Sequence, residues 1–323
     1  MQSERWPVRG EFRISRSTIT ENQTMTVEIN EGEFCGRGEC EPHESDSSVV
    51  AHAMHTVQAL QSEIAAGMGT QELQRRLPSC PARNAIDCAL WDLEAKLRGN
   101  RVWELLRQPM QDSFETAYTL SIDSPERLAA RAKQFAAHHL LKIKLGGSDI
   151  DDLACVRAVR EARPDARLIV DANGAWTLER LRELAPMMSA LGVELIEQPL
   201  DPAADDDLRG YSGPVALCAD ESCIDRASLP QVVGKYQFVN IKLDKTGGLT
   251  EALALASAAR AADLRIMVGC MVGTSLAMAP ATLIAQFAEF VDLDGPILLE
   301  RDRSPSITYR EGRIFLPPRD LWG

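Results

Sequence analysis

No stretch of this 323-residue chain approaches the ~20 consecutive apolar residues that cross a bilayer, and its N-terminus has no apolar core of the secretory type. Paired cysteines are missing too. Cys35, Cys40, Cys80, Cys88, Cys155, Cys218, Cys223 and Cys270 are scattered, form no C-x-x-C pair, and in several cases lie in apolar runs. They read as reduced core residues, not as a disulfide framework or a zinc site. A basic excess is lacking: 35 Lys and Arg stand against 47 Asp and Glu, a net charge of −12. Phosphate binding needs a basic surface, so nucleic acid is not an expected partner. Neither a phosphate-loop pattern nor a glycine-rich first βα turn is present, which sets aside the nucleotide-binding folds. Histidine is scarce, and His43, His52, His55, His138 and His139 read as surface or structural. These absences leave a globular protein without a membrane partner, expected in the cytoplasm. Its length suits one large barrel, or a barrel with a smaller second domain.

What the chain does contain is a strand that recurs and ends on a charged residue. Leu168-Ile169-Val170-Asp171 reads as a buried strand closing on a carboxylate. Leu140-Leu141-Lys142-Ile143-Lys144, Leu195-Ile196-Glu197, Val215-Ala216-Leu217-Cys218-Ala219-Asp220-Glu221 and Val239-Asn240-Ile241-Lys242-Leu243-Asp244-Lys245 repeat the pattern. From Lys144 through Asp171, Glu197 and Asp220 to Lys245 the intervals are 27, 26, 23 and 25 residues. A strand, a helix and two turns take about that many. Tyr118-Thr119-Leu120-Ser121 would be a strand before these five. Arg265-Ile266-Met267-Val268-Gly269-Cys270 is a seventh, and Phe290-Val291-Asp292-Leu293-Asp294 a short eighth or its replacement. Seven or eight such units make a (β/α) barrel, whose chemistry sits at the C-terminal strand ends.

The region before the barrel has a different texture. Residues 12–17 and 25–29 alternate like half-buried strands, and the polar stretch 18–24 reads as a loop able to cover something. Gly36-Arg37-Gly38-Glu39-Cys40-Glu41-Pro42 reads as turn chemistry. Residues 46–108 read as helices, the first capped by Ser45-Asp46-Ser47 and another amphipathic over 84–96, with Ile86, Leu90 and Leu93 on one face. The tail, 307–316, looks like a strand and a turn that could rejoin the N-terminal sheet.

Asp171, Glu197 and Asp220 fall on three adjacent strand ends. At one mouth they would repel each other unless a cation neutralised them. Three oxygen ligands without a His or Cys pattern suit a hard ion, with Mg²⁺ the usual choice. Lys142 and Lys144 are two apart on a strand and so share a face. Crowding and burial would lower their pKa, which makes one of them a general base near neutral pH. Lys242 and Lys245 follow the strand diametrically opposite in an eight-strand ring. A metal on the acids could bind a substrate carboxylate and stabilise the enediolate left when the α-proton departs. Lysines on opposite faces of that carbon could then remove one proton and deliver another, inverting the centre.

Taken together these motifs resemble the enolase superfamily, in its muconate-lactonising subgroup. Lys142-Ile143-Lys144 is similar to the subgroup's K-x-K. Asp171-Ala172-Asn173, Glu197-Gln198-Pro199 and Ala219-Asp220-Glu221-Ser222 are similar to its three metal-ligand motifs, and Lys245-Thr246-Gly247-Gly248 to its opposing lysine motif. Gly36 to Pro42 is similar to an N-terminal G-x-G-E-x-x-P. Sites of that superfamily join a Lys or His base to one or two Mg²⁺ ions. The resemblance spans essentially the whole chain. It implies an α/β fold: a TIM-like (β/α)₇β barrel over 113–307 under an α+β N-terminal capping domain over 1–112, completed by 308–323. It implies Lys144 and Lys245 as the acid/base pair, Lys142 assisting the substrate carboxylate, and one Mg²⁺ per subunit on Asp171, Glu197 and Asp220. Asn173 and Glu221 would sit just outside the ligands.

Asp292-Leu293-Asp294 looks like the D-x-D with which dipeptide epimerases bind a substrate's α-ammonium, and a free amino terminus does need a nearby anion. Asp-Gly-Pro is also strong turn chemistry. The similarity is greatest to epimerases of the L-Ala-D/L-Glu type, which act in murein peptide recycling, notably over 239–255 and 83–93. Those enzymes hold the glutamate side chain with a basic residue in the 16–24 loop, where this chain offers Arg16. The backbone of Cys270, Met271 and Val272 would line the same pocket. The expected function is therefore Mg²⁺-dependent epimerisation at the C-terminal residue of a dipeptide such as L-Ala-L/D-Glu. N-succinylamino acid racemisation, o-succinylbenzoate synthesis and cycloisomerisation are the alternatives within the subgroup, and a non-catalytic carboxylate- or peptide-binding barrel is the alternative outside it. A homo-oligomer is compatible with all of these.

Overall fold

A computed structural model describes residues 1–42 and 47–323. Ser45 and Asp46 of the expected cap, and His43, lie outside what it describes, and a helix runs over Ser47–Ala59. The chain begins with an antiparallel sheet of β1 (Gln2–Arg13), β2 (Thr18–Glu31) and β3 (Phe34–Cys40), in that order. Stretch 18–24 is therefore strand, not loop. Its β-branched threonines and Ile19 suit an extended backbone, and β1 pairs with it from Gln2↔Thr26 to Pro7↔Glu21 and, beyond a shift in register, at Phe12↔Ile19 and Arg13↔Thr18. Only residues 14–17 turn, closed by Ile14 N–H on Ser17 O at 2.9 Å.

The Gly36-x-Gly38 stretch is also strand. A Cβ on Gly36 would lie 2.2 Å from Ala89 O, and one on Gly38 2.1 Å from Ala85 O. These glycines let the helix Pro81–Arg98 lie directly on the sheet. That helix starts with Pro81 in its first turn and stops at left-handed Gly99 (φ 67°). Of the predicted apolar face, Ile86 and Leu93 are buried and Leu90 is half-buried, with Ala89 buried beside them.

The second sheet is the barrel. After β4 (Ser113–Glu115) come eight parallel strands: β5 (Tyr118–Leu120), β6 (Leu140–Lys144), β7 (Arg167–Asp171), β8 (Val193–Glu197), β9 (Ala216–Ala219), β10 (Phe238–Ile241), β11 (Arg265–Gly269) and β12 (Phe290–Asp292). Each neighbours the next in sequence order, and Ala117 N–H donates to Val291 O at 2.8 Å where the ends of the sheet meet. Inward positions near the N-terminal strand ends are apolar: Ala117, Leu140, Ile169, Leu195, Cys218, Phe238, Met267 and Phe290 form one buried cluster. Two residues further along, the same face turns polar on seven of the eight strands, at Thr119, Lys142, Asp171, Glu197, Asp220, Asn240 and Asp292, with Gly269 on the eighth. The period of two thus builds a greasy floor and a charged mouth from the same strands.

The tail does not rejoin the N-terminal sheet. β13 (Tyr309–Arg310) and β14 (Arg313–Phe315) pair with β4 in a separate three-stranded sheet. The residues after β14 do reach the N-terminal unit: Arg37 donates to Leu321 O at 2.7 Å, Trp322 Nε1 to Cys88 O at 3.0 Å and Gly323 N to Asp92 Oδ1 at 2.6 Å. All eight cysteines are free. Among the described residues no helix is long and apolar enough to cross a membrane.

Candidate active site

Asp171 and Glu197 close adjacent strands in register with Lys144, and Asp220 follows β9 by one residue. All three carboxylates are buried, and each offers an oxygen within 4.8 Å of the others. The lysines interleave with them. Lys142 Nζ lies 2.6 Å from Glu197 Oε2, 2.8 Å from Asp292 Oδ2 and 3.2 Å from Asp171 Oδ2. Lys144 Nζ lies 2.6 Å from Asp171 Oδ2 and donates to Asn173 Oδ1 at 3.3 Å. Across the ring, Lys242 and Lys245 hold the two oxygens of Asp220 at 2.7 and 2.6 Å. Lys245 also donates to Cys223 O and Asn240 O, both at 3.0 Å.

One expectation changes here. Lys142 is not lowered. Burial pulls its ammonium down, but the charges of Asp292, Glu197, Asp171 and Asp220 outweigh burial and hold it well above its ordinary value. Asp220 is held well below the usual carboxylate range, because Lys242, Lys245 and Lys142 overcome its burial. Glu197 goes the other way, pushed up to about 7 by burial and then by the charge of Asp171. Three buried carboxylates that each offer an oxygen within 4.8 Å of the others fit a hard divalent ion, which prefers oxygen ligands.

Asp292 and Asp294 lie at the end of β12 and are both buried. Asp292 pairs with Lys142, whereas Asp294 has no ion pair among the described residues and takes the Thr119 N–H at 2.6 Å. Burial, then the charge of Asp292, pushes the Asp294 carboxyl up to about 7. The backbone after β11 packs beside this pair: a Cβ on Gly295 would lie 2.9 Å from Met271 O, and Asn22 of β2 donates to Val272 O. The Cys270 thiol is pushed well above its ordinary value by burial and then by Asp292 and Asp294.

Arg16, in the turn between β1 and β2, reaches the same mouth. Its Nη2 donates to Asn173 O at 2.7 Å and lies 3.4 Å from Glu221 Oε1. Asn173 Nδ2 donates to Glu221 Oε1 at 3.3 Å, and Asn173 N to Asp171 Oδ1 at 2.9 Å, from a left-handed backbone (φ 45°). The structure therefore brings every sequence-picked residue to one mouth.

Two family profiles cover nearly all of this chain. "Mandelate racemase / muconate lactonizing enzyme, N-terminal domain" matches residues 1–107, and "Enolase C-terminal domain-like" matches residues 126–320. The chain belongs to the enolase superfamily. One superfamily relative is an L-Ala-D/L-Glu epimerase of Escherichia coli, 41% identical over 97% of this chain and 98% of its own. Another is an N-acetyl-D-glutamate racemase of Pseudoalteromonas, 42% identical over 93% of this chain and 95% of its own. An enolase family member from Agrobacterium tumefaciens with homology to dipeptide epimerases, solved with sodium and L-Ala-L-Glu, is 44% identical. It matches with TM-score 0.95 over 100% of this chain and 98% of its own. Two dipeptide epimerases solved with Mg and a dipeptide, from Methylococcus capsulatus and Enterococcus faecalis, are each 28% identical, with TM-scores of 0.86 and 0.88. Each covers 98% of this chain, with 96% of its own length for the first and 95% for the second.

The structure adds residues to the mouth. Asn240 Nδ2 donates to Glu197 Oε1 at 2.7 Å, in space that Gly269 leaves free: a Cβ there would lie 2.6 Å from Asn240 Oδ1. Gln198 accepts from Asp220 N at 2.9 Å and from Ser222 N at 3.2 Å, and so orients the Asp220 loop. Thr119 bonds both members of the Asp292/Asp294 pair. The signal for Asn240 was present, since it stands two residues from Lys242 on one strand face. The histidines lie elsewhere: His52, His55 and His139 are exposed, and His138 is buried beside Tyr118 and Phe135.

Proposed function

We propose that this protein is a Mg²⁺-dependent dipeptide epimerase, an isomerase that inverts the α-carbon of the C-terminal residue of a dipeptide such as L-Ala-L/D-Glu. The observation that carries the reading is the composition of one mouth. Lysines flank the acid triad from strands four apart in the ring, and Asp294 beside them has a buried carboxylate with no ion pair among the described residues. Asp171, Glu197 and Asp220 would hold one Mg²⁺, which supplies positive charge to the substrate carboxylate and to the charge that grows on it as the α-proton leaves. Lys144 exchanges a proton on one face of that carbon and Lys245 on the other. Lys142, tied to Glu197, Asp171 and Asp292, stays protonated and steadies the carboxylate end. Asp292 and Asp294 receive the α-ammonium, Cys270 to Val272 line the peptide's path, and Arg16 takes an acidic side chain. Asn173 and Glu221 support Lys144 and Arg16. On this reading residues 1–112, completed by 308–323, cap the barrel 113–307, and every residue of the site comes from one chain.

A second reading is favoured by one finding, the N-acetyl-D-glutamate racemase relative at 42% identity. It uses the same lysines and metal but gives Asp294 no cation to meet. We place the reaction in the cytoplasm and in the reuse of murein peptides; the eight free cysteines support a reducing compartment. The test is a library of dipeptides and N-acyl amino acids incubated with enzyme and Mg²⁺ in D₂O and read by mass spectrometry. A one-dalton gain confined to dipeptides supports epimerisation, and the acidic members should lead. Gain only in N-acyl amino acids moves the protein to the second reading.

A further inference from the structure

The two lysines assigned above to proton transfer are held in different ways. Lys144 is the last residue of β6, which is paired with β5 on one side and β7 on the other, so the barrel itself fixes its backbone. Lys245 lies outside any strand. It sits in a single short helical turn, Leu243–Thr246, ended by left-handed Gly247. Its side chain reaches the Asp220 loop, but its backbone needs an external support.

The helix Pro81–Arg98 supplies it. Arg83 is buried, and its guanidinium donates to Thr246 O at 2.6 Å and Gly247 O at 2.9 Å, the carbonyls that end the Lys245 turn. The remaining donors anchor it in its own unit, to Leu77 O at 2.8 Å and Ser79 Oγ at 3.0 Å. Asn84 Nδ2 donates to Asp244 Oδ1 at 2.9 Å, one residue before the lysine. Asp87 Oδ2 accepts from Thr250 N at 2.9 Å, and Trp91 Nε1 donates to Thr250 Oγ1, also at 2.9 Å. Gly247 and Gly248 make this approach feasible: a Cβ would lie 2.6 Å from Arg83 Nε at the first and 2.5 Å from Asp87 Cβ at the second. The supports thus bracket Lys245 from Asp244 to Thr250, and all come from one helix of the capping unit. Arg suits the key position because its planar fork serves two carbonyls at once, which a lysine ammonium does less well.

We infer that the capping domain positions one of the two bases: Arg83 is a positioning residue for Lys245 and not for Lys144. The inference rests on the assignment of the two lysines under Proposed function. Its signature is one-sided. Loosening the Lys245 turn slows proton removal from the epimer whose α-hydrogen faces Lys245. The other epimer still exchanges through Lys144, now without inverting. A general loss of folding or of metal would slow both.

The experiment measures initial α-deuterium incorporation from L-Ala-L-Glu and from L-Ala-D-Glu, separately, in D₂O with Mg²⁺. It uses the full chain and its Arg83→Met, Arg83→Lys, Asn84→Ala and Lys245→Ala variants, with circular dichroism to confirm folding. Arg83→Met should lose about 10- to 100-fold from one epimer and within about twofold from the other, the scale of a small misplacement of a catalytic group. Arg83→Lys and Asn84→Ala should show the same one-sided loss to a smaller degree, and they decide the matter if Arg83→Met does not fold. The affected epimer must be the one that Lys245→Ala abolishes. Equal loss from both epimers, or from neither, overturns the inference. If Lys245→Ala itself shows no one-sided loss, the assignment of the lysines fails, and this inference with it.

Discussion

Asp294→Asn separates the two substrate classes. In the structure Asp292 is paired with Lys142 at 2.8 Å, so its charge is already met. Among the described residues Asp294 has no ion pair and takes the Thr119 N–H at 2.6 Å, a bond that an asparagine oxygen can also accept. The substitution therefore removes a charge and little else. A charge-assisted hydrogen bond contributes about 1.5–3 kcal/mol, which is about 10- to 150-fold in kcat/KM for a substrate bearing a free α-ammonium. For N-acetylglutamate, whose amide is neutral, the change should stay within about threefold, or ~0.6 kcal/mol. The pH dependence follows from the same group. Burial and Asp292 place the Asp294 carboxyl at about 7 in the free protein, so it is largely protonated below that pH and ionised above it. The wild-type kcat/KM for L-Ala-L-Glu should rise as pH increases through about 7, and the rise should vanish in Asp294→Asn. The assay is chiral chromatography of initial rates across pH 5.5–8.5 with both substrates. Equal losses on L-Ala-L-Glu and N-acetylglutamate would refute the ammonium role and leave Asp294 as a turn residue.

Other outcomes follow from the packing and the acids. Asp244 is buried where the capping helix meets the barrel, and burial, then Glu41, pushes its carboxyl up to about 7. The folded chain then binds the proton more tightly than the unfolded chain, so this group's contribution to stability falls as pH rises from about 4 to 7 and levels off above. Asp244→Asn keeps an acceptor for Asn84 Nδ2 and Glu41 N and should be the more stable protein at pH 8, with a flatter pH slope in urea denaturation. Gly38→Ala would place a Cβ 2.1 Å from Ala85 O and lift the helix off β3. A loss of about 3 kcal/mol or more is expected by thermal denaturation, and an unchanged melting temperature would contradict the packing. Chelation should abolish activity and added Mg²⁺ restore it. Mg²⁺ at a hundred times its Kd should stabilise the protein by about 2.7 kcal/mol, a shift that Asp220→Asn removes.

The barrel was legible because its strands carry two signals at once, an apolar run and a charge at a fixed end. Asp171, Glu197 and Asp220 needed no structure to be placed together; their spacing sufficed. The misreadings share a cause, which is distance along the chain. Gly36 and Gly38 look locally like a turn, and only Ala85 and Ala89, about fifty residues on, reveal a strand under a helix. Stretch 18–24 is polar enough to read as a loop, but β1 pairs with it on both sides of a register shift. Strands of two or three residues, such as β13, β14 and β4, are too short to show a period. Lys142 misled for an electrostatic reason: its neighbour Lys144 is visible in sequence, whereas Asp292, Glu197 and Asp171 surround it only after folding. Arg83 belongs to a stretch singled out for its similarity, yet nothing local told that it grips the turn of Lys245.

The most direct test of two-base inversion is where the deuterium goes. L-Ala-L-Glu is incubated with the enzyme and Mg²⁺ in D₂O and sampled at low conversion, and the two epimers are separated and weighed. The account predicts L-Ala-D-Glu carrying one deuterium at the glutamate α-carbon in essentially every product molecule, because the incoming proton comes from the lysine opposite the one that removed the first. Product that retains its original hydrogen, or deuterium found at the alanine α-carbon, would contradict it.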